Sequence, residues 1–212
     1  MTTLIRVYNA ALRHLGERRL TSTSEARDAR YHLDDAYQEV KPRCLEQGQW
    51  NFAMRAVSMT ASGTLTPAFG FAYAFEKPTD WVRTYIVSDN EMLEQWTTRF
   101  NDEAGVWYAD VTPLYARYVS NDTSYGYNLG LWTQTYADYV AAELAFTAGP
   151  SISTTSASKL EELEAIRNAA RSKAMGHDAL DEPPVGSPMG SWARSRGGNQ
   201  HVRSLATGMR FY

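Results

Sequence analysis

The chain has 212 residues, 43% of them hydrophobic and 12% aromatic, with a formal net charge of −3. That is material for one substantial core, and it contains neither a run of about 18 apolar residues nor a basic N-terminal stretch leading into one. A helical membrane span and a secretory leader are therefore not expected, and the chain is expected to be made in the cytoplasm. A single cysteine, Cys44, excludes an internal disulfide and a multi-cysteine zinc site.

In chain order, the first expected helix has Leu4, Val7, Ala11 and Leu15 on one face, with Thr3 as its cap and Gly16 as a left-handed stop. A short connection, Glu17 to Thr21, leads to the most strongly patterned segment of the chain, Ser22 to Phe52. Ser22 and Glu25 have the spacing of a capping box. Ala26, Ala29, Leu33, Ala36, Val40 and Cys44 recur every three or four residues, which puts them on one helical face with charged residues on the rest. Two amphipathic helices so joined are expected to pack as an antiparallel hairpin. Pro42 removes a donor and clashes one turn back, so a kink or break is expected near Gln38 to Lys41.

After Trp50 the period shortens towards two. Extended segments are expected at Ala53–Ala61, Phe71–Glu76, Thr84–Ser88, Met92–Trp96, Gly105–Ala109 and Leu114–Val119, with turns at Asp89-Asn90 and Asn101-Asp102. They read as a β-meander. Thr79 or Asp80 can cap one helical turn beginning at Trp81. Asn121 to Asn128 reads as a loop, Leu129 to Thr147 as a third helix ended by Gly149-Pro150, and Ser158 with Glu161 as the capping box of a fourth. That last helix places Leu160, Leu163, Ile166 and Ala170 inward and stops at Gly176. The fold class expected is α+β: an antiparallel bundle of about four helices (residues 1–52 and 129–180) with a β-rich meander (53–128) inserted between the second and third.

From residue 181 to 212 the composition changes to an extended Pro/Gly/Arg arm. Between Pro183 and Tyr212 there are four arginines and no carboxylate, so residues 1–182 carry −7 against the total of −3. An acidic body attracts no nucleic acid, whereas a basic tail with aromatics suits an acidic or polar partner. The candidate contact residues are Trp192, Arg194, Arg196, Arg203, Arg210, Phe211 and Tyr212. Ordering thirty residues costs tens of kcal/mol, at roughly 1 to 2 per residue, so such an arm needs an extended groove on a large assembly.

The chemistry-bearing residues form no recognisable constellation. His32, with Asp28 four residues before and Asp35 three after, has the spacing of a metal set, but all three lie on the charged face, where a solvated cluster is the simpler account. No H-E-x-x-H, G-x-S-x-G, P-loop or G-x-G-x-x-G pattern occurs. Adjacent carboxylates such as Asp34-Asp35 and Glu161-Glu162 point apart, and Cys44 sits on an apolar face without an activating base. Neither a catalytic residue nor a cofactor or metal site is expected.

Several segments, taken in order, resemble one family. They are Asn9-Ala10-Ala11-Leu12 with Leu15-Gly16, the Ser22 to Val40 helix, Leu45, Trp50-Asn51-Phe52-Ala53, Tyr73-Ala74-Phe75 and Lys77-Pro78-Thr79-Asp80-Trp81-Val82-Arg83. Tyr115-Ala116-Arg117-Tyr118 and the helix holding Tyr139-Val140-Ala141-Ala142-Glu143-Leu144-Ala145 complete the set. Together, over residues 4 to 180, they resemble the head-tail adaptor of short-tailed bacteriophages, the tail tubular protein A family. The resemblance implies a helical bundle joined to a β-rich part and repeated as a dodecameric ring at the head-tail junction of the virion. It implies a portal protein above, a tail nozzle or tube protein below, genomic DNA passing through the channel without sequence-specific binding, and no enzymatic activity. Adaptors of this type extend a C-terminal arm onto the portal, a role the Pro/Gly/Arg tail suits, and an acidic body would keep a channel from trapping phosphate. Two other readings stand beside it. One is a carbohydrate-binding or carbohydrate-cleaving virion protein, suggested by Trp and Tyr beside carboxylates; the other is a nucleic-acid-binding regulator using the arginine tail.

Overall fold

The computed structural model describes residues 1–93, 99–153 and 156–181. Among them are four helices, α1 (Leu4–Leu15), α2 (Asp28–Glu46), α3 (Gln134–Ile152) and α4 (Ala157–Leu180). Six strands lie between α2 and α3: β1 (Met54–Met59), β2 (Tyr73–Glu76), β3 (Trp81–Ser88), β4 (Phe100–Glu103), β5 (Val106–Ala109) and β6 (Leu114–Ser120). Residues 1–181 form one compact unit. The class is mixed helix and antiparallel sheet.

Helix α3 is the apolar spine, touching α1, α2 and α4. It is rich in alanine and aromatic residues, and eleven of its residues are buried, from Tyr136 to Gly149. The alanines let neighbours approach closely, while Tyr136 and Tyr139 fill the space beside Trp50. Trp50 meets Tyr136 edge-on at 4.7 Å between centroids. Its indole also donates to the carbonyl of Cys44 at 3.0 Å, which satisfies one of the free carbonyls in the last turn of α2. The expected inward residues Leu33, Val40 and Cys44 are all fully buried here.

Several boundaries differ from the sequence expectation. Helix α2 begins at Asp28 rather than Ser22, because the Glu25 carboxylate turns back to accept from the amide and hydroxyl of Thr21, at 2.7 and 2.8 Å. Ser22 Oγ accepts from Ser24 N instead of Glu25 N. The connection from α1 is thus longer than expected and is held by side chains. Asn9 both accepts from Leu20 N and donates to Leu20 O, Arg27 reaches Arg18 O, and Arg30 reaches Glu25 O. At Pro42, α2 continues without a break to Glu46; the carbonyl that loses its donor belongs to exposed Gln38, where water can replace it. Gly16 does end α1 in the left-handed region, with φ 74°.

Helix α3 starts after Thr133, whose hydroxyl accepts from Tyr136 N, and it runs through Pro150 to Ile152. A proline so near the end disturbs few bonds. Helix α4 is capped by Ser156, accepting from Lys159 N, rather than by Ser158, and it passes Gly176 to reach Leu180. The reason for the extension lies across the fold. The Asp178 carboxylate accepts from Asn51 N at 3.0 Å, and Asn51 Nδ2 donates to Asp178 O at 2.8 Å.

The strands form two three-stranded antiparallel sheets, ordered β1-β6-β3 and β2-β5-β4, not a meander. Phe75, Trp107 and Ala109 of one sheet and Val87, Leu114, Ala116 and Tyr118 of the other form a second core beside the helical one. The helical turn expected at Trp81 is a β-turn instead, closed by Trp81 N to Pro78 O at 3.0 Å, after which β3 begins at once. Asn101-Asp102 lies within β4. The turn is Ala104-Gly105, with φ 41° and 84°, where two positive values match the twist of a two-residue hairpin. Met92 of the expected strand Met92–Trp96 lies in a turn, and residues 94–98 fall outside the described residues.

Candidate interaction surfaces

The expected contact residues of the arm, Trp192, Arg194, Arg196, Arg203, Arg210, Phe211 and Tyr212, lie outside the described residues. The rest of the candidates fall on the described body. His32, Asp28 and Asp35 are all exposed on α2, and no group of three or more potential metal ligands occurs among the described residues. Cys44 is fully buried, and burial pushes its thiol up to about 12, which makes it a packing residue rather than a nucleophile.

Most of the described tryptophans are interior. Trp50, Trp107 and Trp132 are no more than 4% exposed, and the indole of Trp132 is tied to the carbonyl of Gly126 at 2.8 Å. Trp81 is half-buried beneath Lys77, whose ammonium sits 3.6 Å from the ring centroid. These rings therefore offer little free face for stacking on a sugar.

Three polar clusters join the elements. In the first, the Asp80 carboxylate accepts from Arg55 at 2.9 Å, from the Tyr118 hydroxyl at 3.0 Å and from the Ser120 hydroxyl. Burial alone would raise the Asp80 pKa, but the hydrogen bonds from Ser120, Arg55 and Tyr118 outweigh it and hold the carboxyl below its usual range. In the second, Asp102 of β4 accepts from Lys77, from Thr84 at 2.8 Å and from the Trp107 indole at 3.0 Å. Its carboxyl is likewise lowered, since the bonds from Lys77, Thr84 and Trp107 overcome burial. The third is Glu143 on α3, buried between Arg43 of α2 at 3.4 Å and Arg167 of α4 at 3.7 Å. Each carboxylate is saturated by groups from neighbouring elements, which is the arrangement of a structural tie rather than of an acid or base open to substrate.

No family model matches the chain, and no curated protein matches it.

Two surfaces of the body are available to partners. The first is the connection between β1 and β2, where Leu65 and Phe69 are exposed, Phe69 being 88% accessible, together with exposed Tyr73 at the start of β2. Its path is held by Arg99, which donates to Gly70 O at 2.5 Å and pairs with Asp110 at 3.0 Å. The sequence reading placed extended segments on either side, Ala53–Ala61 and Phe71–Glu76, and no element in residues 62–70 between them. Apolar side chains in a loop carry no periodicity, so composition there could not distinguish a spacer from a contact surface.

The second is a cleft of about 670 Å³ between α1 and the start of α3. Val7, Ala10 and Ala137 provide its apolar lining, and Arg6, Arg13 and Arg19 line it together with Asn9 and Gln134. Its two carboxylates are already engaged: Glu17 pairs with Arg27 at 3.1 Å, and Asp138 accepts from Gln134 at 2.8 Å. The three arginines have no carboxylate partner among the described residues. This cleft was missed from sequence because its arginines come from a helix and a loop that only folding brings together.

Proposed function

We propose that this chain is a ring-forming head-tail adaptor of a short-tailed phage, seated between the portal and the tail nozzle or tube, with genomic DNA passing through the ring. In this reading the four helices form an antiparallel bundle on which the subunits abut. The β-rich part projects from it, and residues 181–212 form an arm that docks on the portal.

The observation that carries the reading is the order of elements among the described residues, two helices, six strands and two helices, together with where the resembling segments fall in it. Trp50-Asn51-Phe52-Ala53 is the joint between α2 and β1, tied to α4 through Asp178. Lys77 to Arg83 carries the turn into β3 with two of the three structural ties, Asp80 and Lys77–Asp102. Tyr115 to Tyr118 lies in the central strand of its sheet. The exposed Phe69 loop adds support, because a large apolar side chain left in water on a folded body suits a contact made in an assembly.

The test is co-assembly with the portal of the same phage, followed by light scattering and electron microscopy of the full chain and of a variant lacking residues 182–212. The full chain is expected to form a ring on the portal. The shortened chain is expected to stay folded and lose the attachment. A full chain that remains monomeric with portal present would sink the adaptor reading, and equal attachment without residues 182–212 would remove the arm from it.

A further inference from the structure

Two charged stripes lie on different helices of the body. On α2, Asp28, Asp35 and Glu39 are exposed, spaced by seven and four residues and so aligned along one face. Among the described residues Asp28 and Asp35 have no cationic partner, and Glu39 has a long, exposed pairing with Arg43 at 3.6 Å. On α1 and the turn after it, Arg6, Arg13 and Arg19 line the cleft and likewise have no carboxylate partner there. Arg6 to Arg13 and Asp28 to Asp35 are both steps of seven residues. Each is two helical turns, about 10.5 Å, so the two stripes have matching charge spacing and opposite sign.

We propose that these stripes are the two halves of one contact between copies of this chain, with α2 of one copy lying along the arginine cleft of the next. Tyr31 fits the contact. It sits three residues after Asp28 and four before Asp35, between them on the helix surface, and is 49% exposed. Arg30 of the same chain covers one face of the Tyr31 ring, at 4.0 Å to the centroid, and the other face can enter the cleft against Ala10 while the carboxylates meet the guanidiniums. Charges placed around a buried aromatic are partly shielded from water, where exposed ion pairs alone would contribute little. The two patches are different surfaces, so the contact is head-to-tail. Repeated, it closes into a ring when the rotation allows and grows a filament when it does not. This inference rests on the ring reading and names the surface through which neighbouring subunits meet.

The test uses the full chain and three variants: R6E/R13E, D28K/D35K, and the fourfold exchange. Sedimentation over a range of concentration, at low and high salt, reads the association, and thermal melting by circular dichroism checks that each variant is folded. The wild type is expected to associate more weakly as salt rises. Each double reversal should raise the concentration for half-association about tenfold or more. The fourfold exchange should recover it. An equimolar mixture of the two doubles should recover it as well, because the carboxylates introduced into the cleft of one variant then face the ammonium groups introduced on α2 of the other. Wild-type association by both doubles, or no recovery in the exchange and the mixture, would overturn the inference. So would a wild type that is monomeric at every concentration and salt tested. The adaptor reading is decided separately by the portal experiment, since a ring can also close through other surfaces.

Discussion

The Asp80 cluster gives the sharpest prediction, because one carboxylate at the start of β3 serves three donors from β1 and β6. Replacing Asp80 with Ala leaves the hydroxyls of Tyr118 and Ser120, both in residues 0% exposed, without the acceptor they now use. Ser120 keeps one bond, since its oxygen also accepts from Asp122 N at 3.1 Å. Arg55, at 36% side-chain exposure, can turn to water and should contribute little. At about 1 to 3 kcal/mol for each buried group left unsatisfied, the loss should be about 2 to 5 kcal/mol, a large share of a typical domain's stability. Urea unfolding followed by tryptophan fluorescence measures it, with the slope against urea unchanged if the transition stays two-state. The second arm is Asp80→Ala combined with Tyr118→Phe. Removing the orphaned hydroxyl should return about 1 kcal/mol or more, so the double variant should be more stable than Asp80→Ala alone. A loss below about 0.5 kcal/mol, or a double variant less stable than Asp80→Ala, would refute the assignment of this cluster as a tie.

Acid should act on the same site. A carboxyl lowered in the folded state stabilises fully above its unfolded pKa, about 3.9 for Asp, and loses that contribution as pH falls through the folded value. Asp80 and Asp102 should therefore make melting temperature fall below about pH 4, and Asp80→Asn should flatten that fall. In the β4–β5 turn, Ala104 holds φ 41°, a region that costs a non-glycine residue about 1 to 2 kcal/mol. Ala104→Asn should stabilise the protein by about 1 kcal/mol and raise its melting temperature by roughly 2 to 4 °C. Gly126→Ala should do the reverse, losing about 3 kcal/mol or more in urea, because the new methyl would stand 2.2 Å from Ser120 O. The hydroxyl of Tyr136 is buried with no hydrogen-bond partner among the described residues. Tyr136→Phe should therefore raise the urea midpoint by an amount worth about 1 kcal/mol, and a clear loss would mean that the hydroxyl is satisfied.

What the sequence made legible was decided within single elements. The buried face of α2, the stop at Gly16 and the extended character of β1, β2, β5 and β6 follow from periodicity and local sterics, and the structure has them. What it concealed was decided between elements. Glu25 spaced as a cap partner is claimed by Thr21, and Gly176 spaced as a stop is overrun because Asp178 meets Asn51, far away in sequence. A meander was the simplest order for successive strands, but Thr84, Asp102 and Trp107 come from three strands and bind one another across two sheets. The surfaces divide in the same way. The acidic face of α2 was visible as a pattern, although its first interest was as a metal set. The arginine cleft needed α1, the following turn and α3 to be placed together.

The strap between α1 and α2 has a geometric consequence. Asn9 holds Leu20 from both sides, Glu25 holds Thr21, and Arg27 and Arg30 grip carbonyls along the way. Tyr8 on α1 also donates to Asp34 on α2 at 2.7 Å. So many bonds fix the angle between the two helices as if the connection were a bracket. In a closed assembly the number of copies is set by the angle between the faces each copy offers its neighbours. In the ring proposed above, a bracket of this kind would make that angle, and with it the count of subunits around the axis, a property of the subunit rather than an average over loop conformations.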